Sequence, residues 1–358
     1  MAQPFSFGFS GDDIEEDPDD VSSSNNYEDT TMGEDSPPPI KAQAHDLDEL
    51  LATLPPQISY GYLTTTSPKG FKARLPRREL FDVKMQLMAE DEGNSTNPLA
   101  GLENSDLQTN VYEGGYKTWE CSIDLIRFLL DRGPRKDLDD LVRVHHVIEM
   151  GCGTALPTCL LFQYAIKNGL PMSFTLTDYN VDVLRLATLP NLFLTWISTL
   201  GATESPFSID NKNPLAQEGV RMDTGDIEVT PELLSNFKTS LSSIGINLTL
   251  ISGSWLPTPA LLSLIPSVPE QNTFILASET IYSPSSLAAF TEAMVELMKR
   301  VKSGKAIVAA KRVYFGVGGS VDGFREECAK KGCVAYEMEF EGLESQGVRR
   351  CLVEVQMY

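Results

Sequence analysis

A short apolar segment that ends at an acid and two glycines constrains the fold of this chain more than any other feature. Residues Val147 to Leu156 read Val-Ile-Glu-Met-Gly-Cys-Gly-Thr-Ala-Leu. The apolar run predicts a strand, and the two glycines allow positive φ and a close approach of a ligand to the main chain. A strand, a tight turn and a helix in this order open a binding crevice at the carboxyl ends of parallel strands.

Alternating strands and helices around that turn predict an α/β protein. Residues 111–358 are expected to form a doubly wound, Rossmann-like sheet of seven strands with one strand reversed. Thr230-Pro231 predicts a helix start, with Thr230 as N-cap and proline in the first turn. The expected strands are His145–Met150, Ser173–Thr177, Asn247–Ser252, Thr273–Ser278 and Lys305–Ala310, followed by the antiparallel hairpin Val334–Glu341 and Arg349–Gln356. The expected helices include Trp119–Leu130 and residues 284–302 and 321–331.

Two weaker regions precede this domain. Residues 41–110 are expected to be a poorly patterned connector with short helices at His45–Leu54 and Arg77–Met88, then a loop at Asn94–Asp106. Residues 1–40 are rich in Asp, Ser, Asn and Pro, which predicts a disordered tail. This tail holds eleven acidic residues and no Lys or Arg, and so carries more than half of the net charge of −21.

Charge and cysteine usage narrow the classes of partner. An acidic surface repels phosphate backbones, so nucleic acid is not expected as a direct partner and a basic protein is. The six cysteines fall at scattered spacings without a C-x-x-C pair, which predicts reduced thiols and no zinc site. We find neither a secretory signal nor a membrane-spanning run, and therefore expect an intracellular protein.

Three cofactors compete for the turn after the first strand. A phosphate-binding loop needs Gly-Lys-Ser/Thr, whereas this chain has Gly153-Thr154-Ala155. A dinucleotide site needs a third glycine where Leu156 stands. S-Adenosylmethionine carries no phosphate and asks only for close backbone approach, with Glu149 expected near its sulfonium and amino groups. A plain structural corner between strand and helix remains the alternative.

Asp178 makes an adenosine-containing cofactor the preferred prediction. It ends the second strand, where a carboxylate can accept hydrogen bonds from both ribose hydroxyls. An ordinary turn acid at a strand end would look the same. Together with the turn and the closing hairpin, Asp178 favours the methyltransferase version of the fold and S-adenosylmethionine as its cofactor.

Five further motifs, in order, carry a family resemblance. They are Tyr112–Cys121, Thr177–Asp182, Ser252–Trp255, Ser278–Tyr282 and Tyr314–Gly319. With these motifs, residues 77 to 358 closely resemble the protein-histidine N-methyltransferases that modify a histidine of ribosomal large-subunit protein three. The opening Phe5-Ser6-Phe7-Gly8-Phe9 also looks like fungal members.

The resemblance implies a set of site residues. The residues that the resemblance implies for cofactor binding are Thr118, Trp119, Glu120, Cys121, Ser122, Gly151, Gly153, Asp178, Tyr179, Asn180, Gly253, Ser254, Trp255 and Ser278. Trp119 and Trp255 are also compatible with packing roles. Glu279 is expected to accept a hydrogen bond from the substrate imidazole, with Tyr282 shaping the slot, although Glu279 could instead bind main chain or cofactor. The resemblance further implies a monomer in cytoplasm and nucleus.

Two other functions stay open at this point. Close relatives of this fold methylate lysine, whose pKa of about 10.4 demands more help with deprotonation than the pKa of about 6.5 of histidine. A ribosome-assembly binding factor with vestigial cofactor binding is the alternative from another class.

Overall fold

The computed structural model describes residues 39–90, 115–132, 143–216, 223–345 and 348–358. The predicted tail up to residue 38, the loop Asn94–Asp106 and the motif residues Tyr112–Gly114 lie outside these ranges. The described elements are, in chain order, β1 (Gln43–His45), α1 (Leu47–Leu51), β2 (Gln57–Thr66), β3 (Lys72–Arg78), α2 (Leu80–Glu90), α3 (Glu120–Arg132), β4 (His146–Met150), α4 (Leu156–Lys167), β5 (Ser173–Asp178), α5 (Val181–Val183), a π-helical turn (Leu184–Thr188), α6 (Leu189–Ile197), β6 (Thr224–Glu228), α7 (Pro231–Ile244), β7 (Asn247–Ser252), α8 (Thr258–Leu264), β8 (Thr273–Ser278), α9 (Pro284–Lys299), β9 (Gly304–Lys311), α10 (Val321–Lys330), β10 (Cys333–Met338), β11 (Glu344–Ser345) and β12 (Val348–Met357).

The predicted doubly wound sheet is confirmed. Its strands follow the order β1-β7-β5-β4-β8-β9-β12-β10, and the short β11 pairs with β12. The five strands from β7 to β9 run parallel, whereas β12 is antiparallel to both β9 and β10. The chain leaves β4 toward β5 on one side and later continues at β8 on the other. The carboxyl ends of β4 and β8 therefore flank the topological switch point, where open α/β sheets bind their ligands.

Helices cover both faces of this sheet, which explains why its central strands β4, β5 and β8 are buried along almost their whole length. On one face Val147 and Leu276 pack with α3, α4, α6 and α7. On the other face Ile148 and Ala277 pack with α8, α9 and α10. The predicted start of α7 is also confirmed, since the side chain of Thr230 accepts a hydrogen bond from the Leu233 N–H at 3.1 Å.

The prediction that residues 41–110 form a poorly patterned connector is wrong for residues 57–78. Residues 57–78 form a hairpin, β2–β3, and β6 pairs with β2 to complete a separate three-stranded sheet. The alternating Ile58, Tyr60 and Tyr62 with three threonines are typical of a strand, but four basic residues and Pro76 in β3 obscured its partner. The helix expected from Arg77 begins at Leu80 because Arg77 and Arg78 belong to β3.

The large doubly wound sheet has an edge strand that the sequence pattern did not predict. Residues Gln43–His45 form β1 and pair antiparallel with β7, through Gln43 with Ser252 and His45 with Leu250. The helix expected at His45–Leu54 is shorter in the structure and forms α1, with Asp46 as its N-cap.

No helix within the described ranges is long and apolar enough to cross a membrane.

Candidate active site

The turn after β4 has the geometry that its glycines predict. Gly151 has a φ of +66° and Gly153 a φ of +50°. A Cβ on Gly151 would lie 2.8 Å from Cγ2 of Thr280 and 3.6 Å from the indole of Trp255. Glycine is therefore needed at position 151 both for its backbone conformation and for the space in front of it.

Asp178 ties this turn to the neighbouring strand. Its Oδ2 accepts a hydrogen bond from the Gly153 N–H at 2.9 Å, and its Oδ1 accepts one from the Asn180 N–H at 3.2 Å. The Cys152 N–H donates to the carbonyl of Thr177 at 2.9 Å. The ends of β4 and β5 are thus joined directly, and the carboxylate is held at the edge of the cleft between them.

A cleft of about 630 Å³, which includes space open to solvent, lies at the switch point. It brings together ten of the residues predicted from the sequence. Trp119 and Ser122 come from the start of α3, Gly151 and Gly153 from the turn after β4, Asp178 and Tyr179 from the end of β5, Trp255 from the loop after β7, and Ser278, Glu279 and Tyr282 from the end of β8.

Other lining residues escaped the sequence analysis. They are Gly115, Lys117, Cys152, Thr154 and Thr280. Thr154 and Thr280 stand inside motifs that were recognised, so adjacency alone would have found them. Thr280 is buried, and among the described residues its hydroxyl has no hydrogen-bond partner. Such a buried hydroxyl is a candidate ligand contact because an unsatisfied buried polar group is costly.

The remaining predicted residues lie outside the cleft lining. Thr118 shares a hydrogen bond with Thr154 at 3.2 Å, and Asn180 caps α5 by accepting from the Asp182 N–H at 2.9 Å. Glu120 is exposed at the start of α3, and Cys121 is fully buried behind it.

Gly253 and Ser254 hold the protein's own main chain. Gly253 has a φ of +102°, and a Cβ there would lie 2.5 Å from the carbonyl oxygen of Lys41. The Ser254 N–H donates to the carbonyl of Ile40 at 2.8 Å. Both residues thus contact the segment that leads into β1, and Trp255 alone of the three lines the cleft. Cofactor binding by Gly253 and Ser254 stays a prediction.

Glu149 faces the start of α4 instead of the cleft. The residue is buried, and its Oε2 accepts a hydrogen bond from the Thr158 N–H at 3.0 Å. Among the described residues its Oε1 has no hydrogen-bond partner. Burial raises the pKa of this carboxyl from 4.5 to about 8. The geometry makes Glu149 a cap for the first turn of α4, since exposed N–H groups at a helix start bind carboxylates.

Replacing Glu149 by glutamine should change how stability depends on pH. A folded-state pKa of about 8 favours the protonated acid in the folded protein. The contribution of the protonated Glu149 to the free energy of unfolding is fully present below pH 4.5 and is lost as pH rises toward 8. The variant has no such titration, so its unfolding free energy should exceed that of the wild type increasingly between pH 5 and 8, by an amount on the order of a few kcal/mol. Urea unfolding at several pH values measures this, with exposed Glu232→Gln as control, and parallel pH curves would contradict it.

Glu279 has the most unusual backbone of the site. It follows β8 with a φ of +58°, a left-handed conformation that residues other than glycine rarely adopt. Its N–H donates to the carbonyl of Ala309 at 3.0 Å, and its Oε1 lies 3.5 Å from Nζ of Lys311. Backbone strain of this kind persists where neighbouring structure enforces it, often at functional sites. Glu279 lines the same cleft as the glycine turn.

Two neutral groups face the same carboxylate. Burial and, next, the charge of Glu279 raise the pKa of the Cys121 thiol and that of the Tyr314 hydroxyl well above their ordinary values. Both groups therefore stay protonated near neutral pH. Tyr314 lies near the start of the loop of residues 313–320. In this loop the Gly319 N–H donates a hydrogen bond to the carbonyl of Tyr282 at 3.0 Å. The ring of Phe315, at the tip of this loop, is 90% exposed.

Comparison with known proteins places the chain among named relatives, although no family model matches it. Histidine protein methyltransferase 1 of Saccharomyces cerevisiae is 36% identical over 346 residues, which cover 89% of each chain. Histidine protein methyltransferase 1 of Schizosaccharomyces pombe is 36% identical over 333 residues, covering 92% of this chain and 86% of that relative. The Bos taurus homologue is 28% identical over 251 residues, covering 70% and 57%.

Among solved structures, magnesium protoporphyrin IX methyltransferase from Synechocystis PCC 6803 with bound SAH gives a TM-score of 0.35 at 9% identity, covering 71% of this chain and 90% of that one. Identity of 36% to two relatives along about nine tenths of the chain shows that the chain belongs to the histidine protein methyltransferase family.

Proposed function

We propose that the protein uses S-adenosylmethionine to methylate a histidine side chain of a basic protein, with ribosomal large-subunit protein three as the substrate. One observation carries the chemistry. A strained glutamate, Glu279, lines the same cleft as the glycine turn at Gly151 and Gly153. The turn suits a cofactor that needs close backbone approach, and the glutamate suits an acceptor ring that carries an N–H.

The residues of the cleft fit S-adenosylmethionine. A Cβ on Gly151 would crowd Thr280 and Trp255, which also line the cleft, and glycine keeps the backbone there open to close approach by a ligand. Asp178 provides a carboxylate for ribose hydroxyls, and Trp119, Tyr179 and Trp255 provide aromatic surface for the apolar parts of the cofactor. When bound, this cofactor supplies an activated methyl group.

The protein's own residues then act on the acceptor. An imidazole is uncharged and nucleophilic above its pKa of about 6.5, so alignment and exclusion of water are the main tasks. The Glu279 carboxylate accepts the hydrogen bond of the ring N–H that does not react. This orients the ring and keeps the opposite nitrogen unprotonated. As positive charge develops on the ring, the same carboxylate stabilises it.

The charge of the chain supports a basic protein as the substrate. The first 40 residues hold eleven acids and no Lys or Arg, and the whole chain has a net charge of −21. Complementary charge accelerates the encounter of two proteins and disfavours partners of the wrong sign. Ribosomal proteins are basic, and the family resemblance singles out large-subunit protein three among them.

The exposed Phe315 is expected to contact the protein substrate. Its loop is joined to Tyr282 at the cleft, and aromatic side chains are frequent anchors of protein interfaces. The Phe315→Ser variant should raise KM for the protein substrate about 5- to 10-fold, as loss of about 1 kcal/mol implies, without changing cofactor affinity. Steady-state kinetics test this. Phe71→Ser, at a 55% exposed phenylalanine of the β2–β3 turn, is the matched control, and equal effects of both variants would contradict the assignment.

Isothermal titration with S-adenosylmethionine and S-adenosylhomocysteine tests the cofactor directly. The proposal predicts one binding site for each ligand, and loss of both on Asp178→Ala. A protein that binds neither would instead be the vestigial binding factor that the sequence left open.

A further inference from the structure

We propose that Lys311 is a positioning residue whose ammonium pairs with the Glu279 carboxylate, so that the acceptor slot selects an uncharged imidazole over a protonated lysine side chain. This inference deepens the proposed function, and it rests on the role of Glu279 in that function. It concerns a residue that the sequence analysis placed just beyond the fifth parallel strand and gave no role.

The position of Lys311 is determined by two kinds of contact. It ends β9, the strand beside β8, and its Nζ lies 3.5 Å from Oε1 of Glu279. The same Nζ lies 4.8 Å from the ring centroid of Trp119 and 5.9 Å from that of Tyr314. A cation over aromatic faces is attracted by the ring quadrupole. The ammonium is therefore held between the carboxylate and two rings, with its side chain 23% exposed.

The other groups around Glu279 supply no comparable charge. Cys121 on α3 and Tyr314 on the following loop face the carboxylate and stay protonated. Asp178 and Lys117 also line the cleft, but the ion pair that Glu279 makes among the described residues is with Lys311. The balance of charge at the acceptor end of the cleft therefore depends on this lysine.

Charge balance separates the two acceptors. At neutral pH a lysine side chain is almost entirely protonated, whereas a histidine side chain is mostly neutral. An unpaired carboxylate would attract the ammonium most strongly. With Lys311 beside Glu279, an incoming ammonium meets a like charge at short range, in a site where solvent screens poorly. A neutral ring adds no positive charge and can still donate its N–H to the carboxylate, whose two oxygens together accept several hydrogen bonds.

The test uses side-chain analogues, so that it does not depend on the identity of the protein substrate. Full-length enzyme saturated with S-adenosylhomocysteine is titrated at pH 8.5, where the imidazole is mostly neutral and the amine still protonated, with 4-methylimidazole and with n-butylamine, and dissociation constants are read from NMR shifts. The wild type should bind 4-methylimidazole at least tenfold more tightly than n-butylamine. Lys311→Met should raise the affinity for n-butylamine tenfold or more and change that for 4-methylimidazole less than threefold. Lys311→Arg should keep the wild-type ratio.

The outcomes separate this inference from the function on which it rests. An unchanged affinity ratio in Lys311→Met, or an equal shift in the arginine variant, overturns the role of Lys311. Glu279→Gln should weaken 4-methylimidazole binding, and if it does not, the role of Glu279 itself fails. If the methionine variant does not fold, Lys311→Gln, which retains a polar end beside Trp119, replaces it. The ratio of the affinities for n-butylamine and 4-methylimidazole then tests the role of Lys311 in the same way.

Discussion

Glu279→Gln should lower kcat about 100-fold and leave the affinity for S-adenosylmethionine within about threefold of the wild type. The amide keeps the shape of the side chain but removes the negative charge that orients the ring and stabilises its developing positive charge. Removing one preorganised group that stabilises developing charge typically costs 10²- to 10³-fold, and we expect the lower end because imidazole is already a good nucleophile. Single-turnover kinetics with saturating cofactor measure the effect.

The control for this variant is Glu120→Gln. Glu120 belongs to the cofactor segment implied by the family resemblance, yet it is exposed and does not line the cleft. It should retain wild-type turnover. Wild-type turnover in Glu279→Gln would remove Glu279 from the chemistry and return it to the alternative in which it serves main chain or cofactor.

Gly151→Ala should weaken cofactor binding 100-fold or more. The added Cβ would lie 2.8 Å from Thr280 and close to Trp255, and both residues line the cleft. The variant also forces alanine into a φ of +66°, which costs on the order of 1 kcal/mol of stability. Calorimetric titration with S-adenosylmethionine and thermal unfolding measure the two effects separately.

A second glycine provides the matched control. Gly169 has a φ of +60°, and a Cβ there would meet nothing within 4 Å. Gly169→Ala should therefore reproduce the loss of stability and leave cofactor binding intact. If both variants bind the cofactor as the wild type does, the space in front of Gly151 is not the binding site.

The parallel strands could be predicted because each is a short segment rich in apolar and β-branched residues, followed by glycine or a polar residue. Asn247–Ser252 and Thr273–Ser278 have the predicted bounds. Thr273–Ser278 is buried along almost its whole length and Asn247–Ser252 from Leu250 onward, and burial between two helical layers favours such segments. Tyr179, Trp255 and Glu279 could be placed at one cleft for the same reason, since each follows a strand of known direction.

Contacts between distant segments could not be predicted in this way. Gly253 has its conformation because Lys41, more than 200 residues earlier in the chain, lies against it. Glu149 has the acid of a familiar cofactor motif, and only its hydrogen bond to Thr158 shows that it caps a helix. Lys311 had no signal of its own, because a lysine at the end of a strand usually points into solvent.

The amino acid that receives the methyl group is the most direct test of the central claim. Purified enzyme is supplied with S-adenosylmethionine labelled in its methyl group and with ribosomal proteins from cells that lack the enzyme. The labelled protein is identified and hydrolysed, and the labelled amino acid is separated. We predict methylhistidine from ribosomal large-subunit protein three. Label in methyllysine would contradict both the proposed acceptor and the selectivity assigned to Lys311.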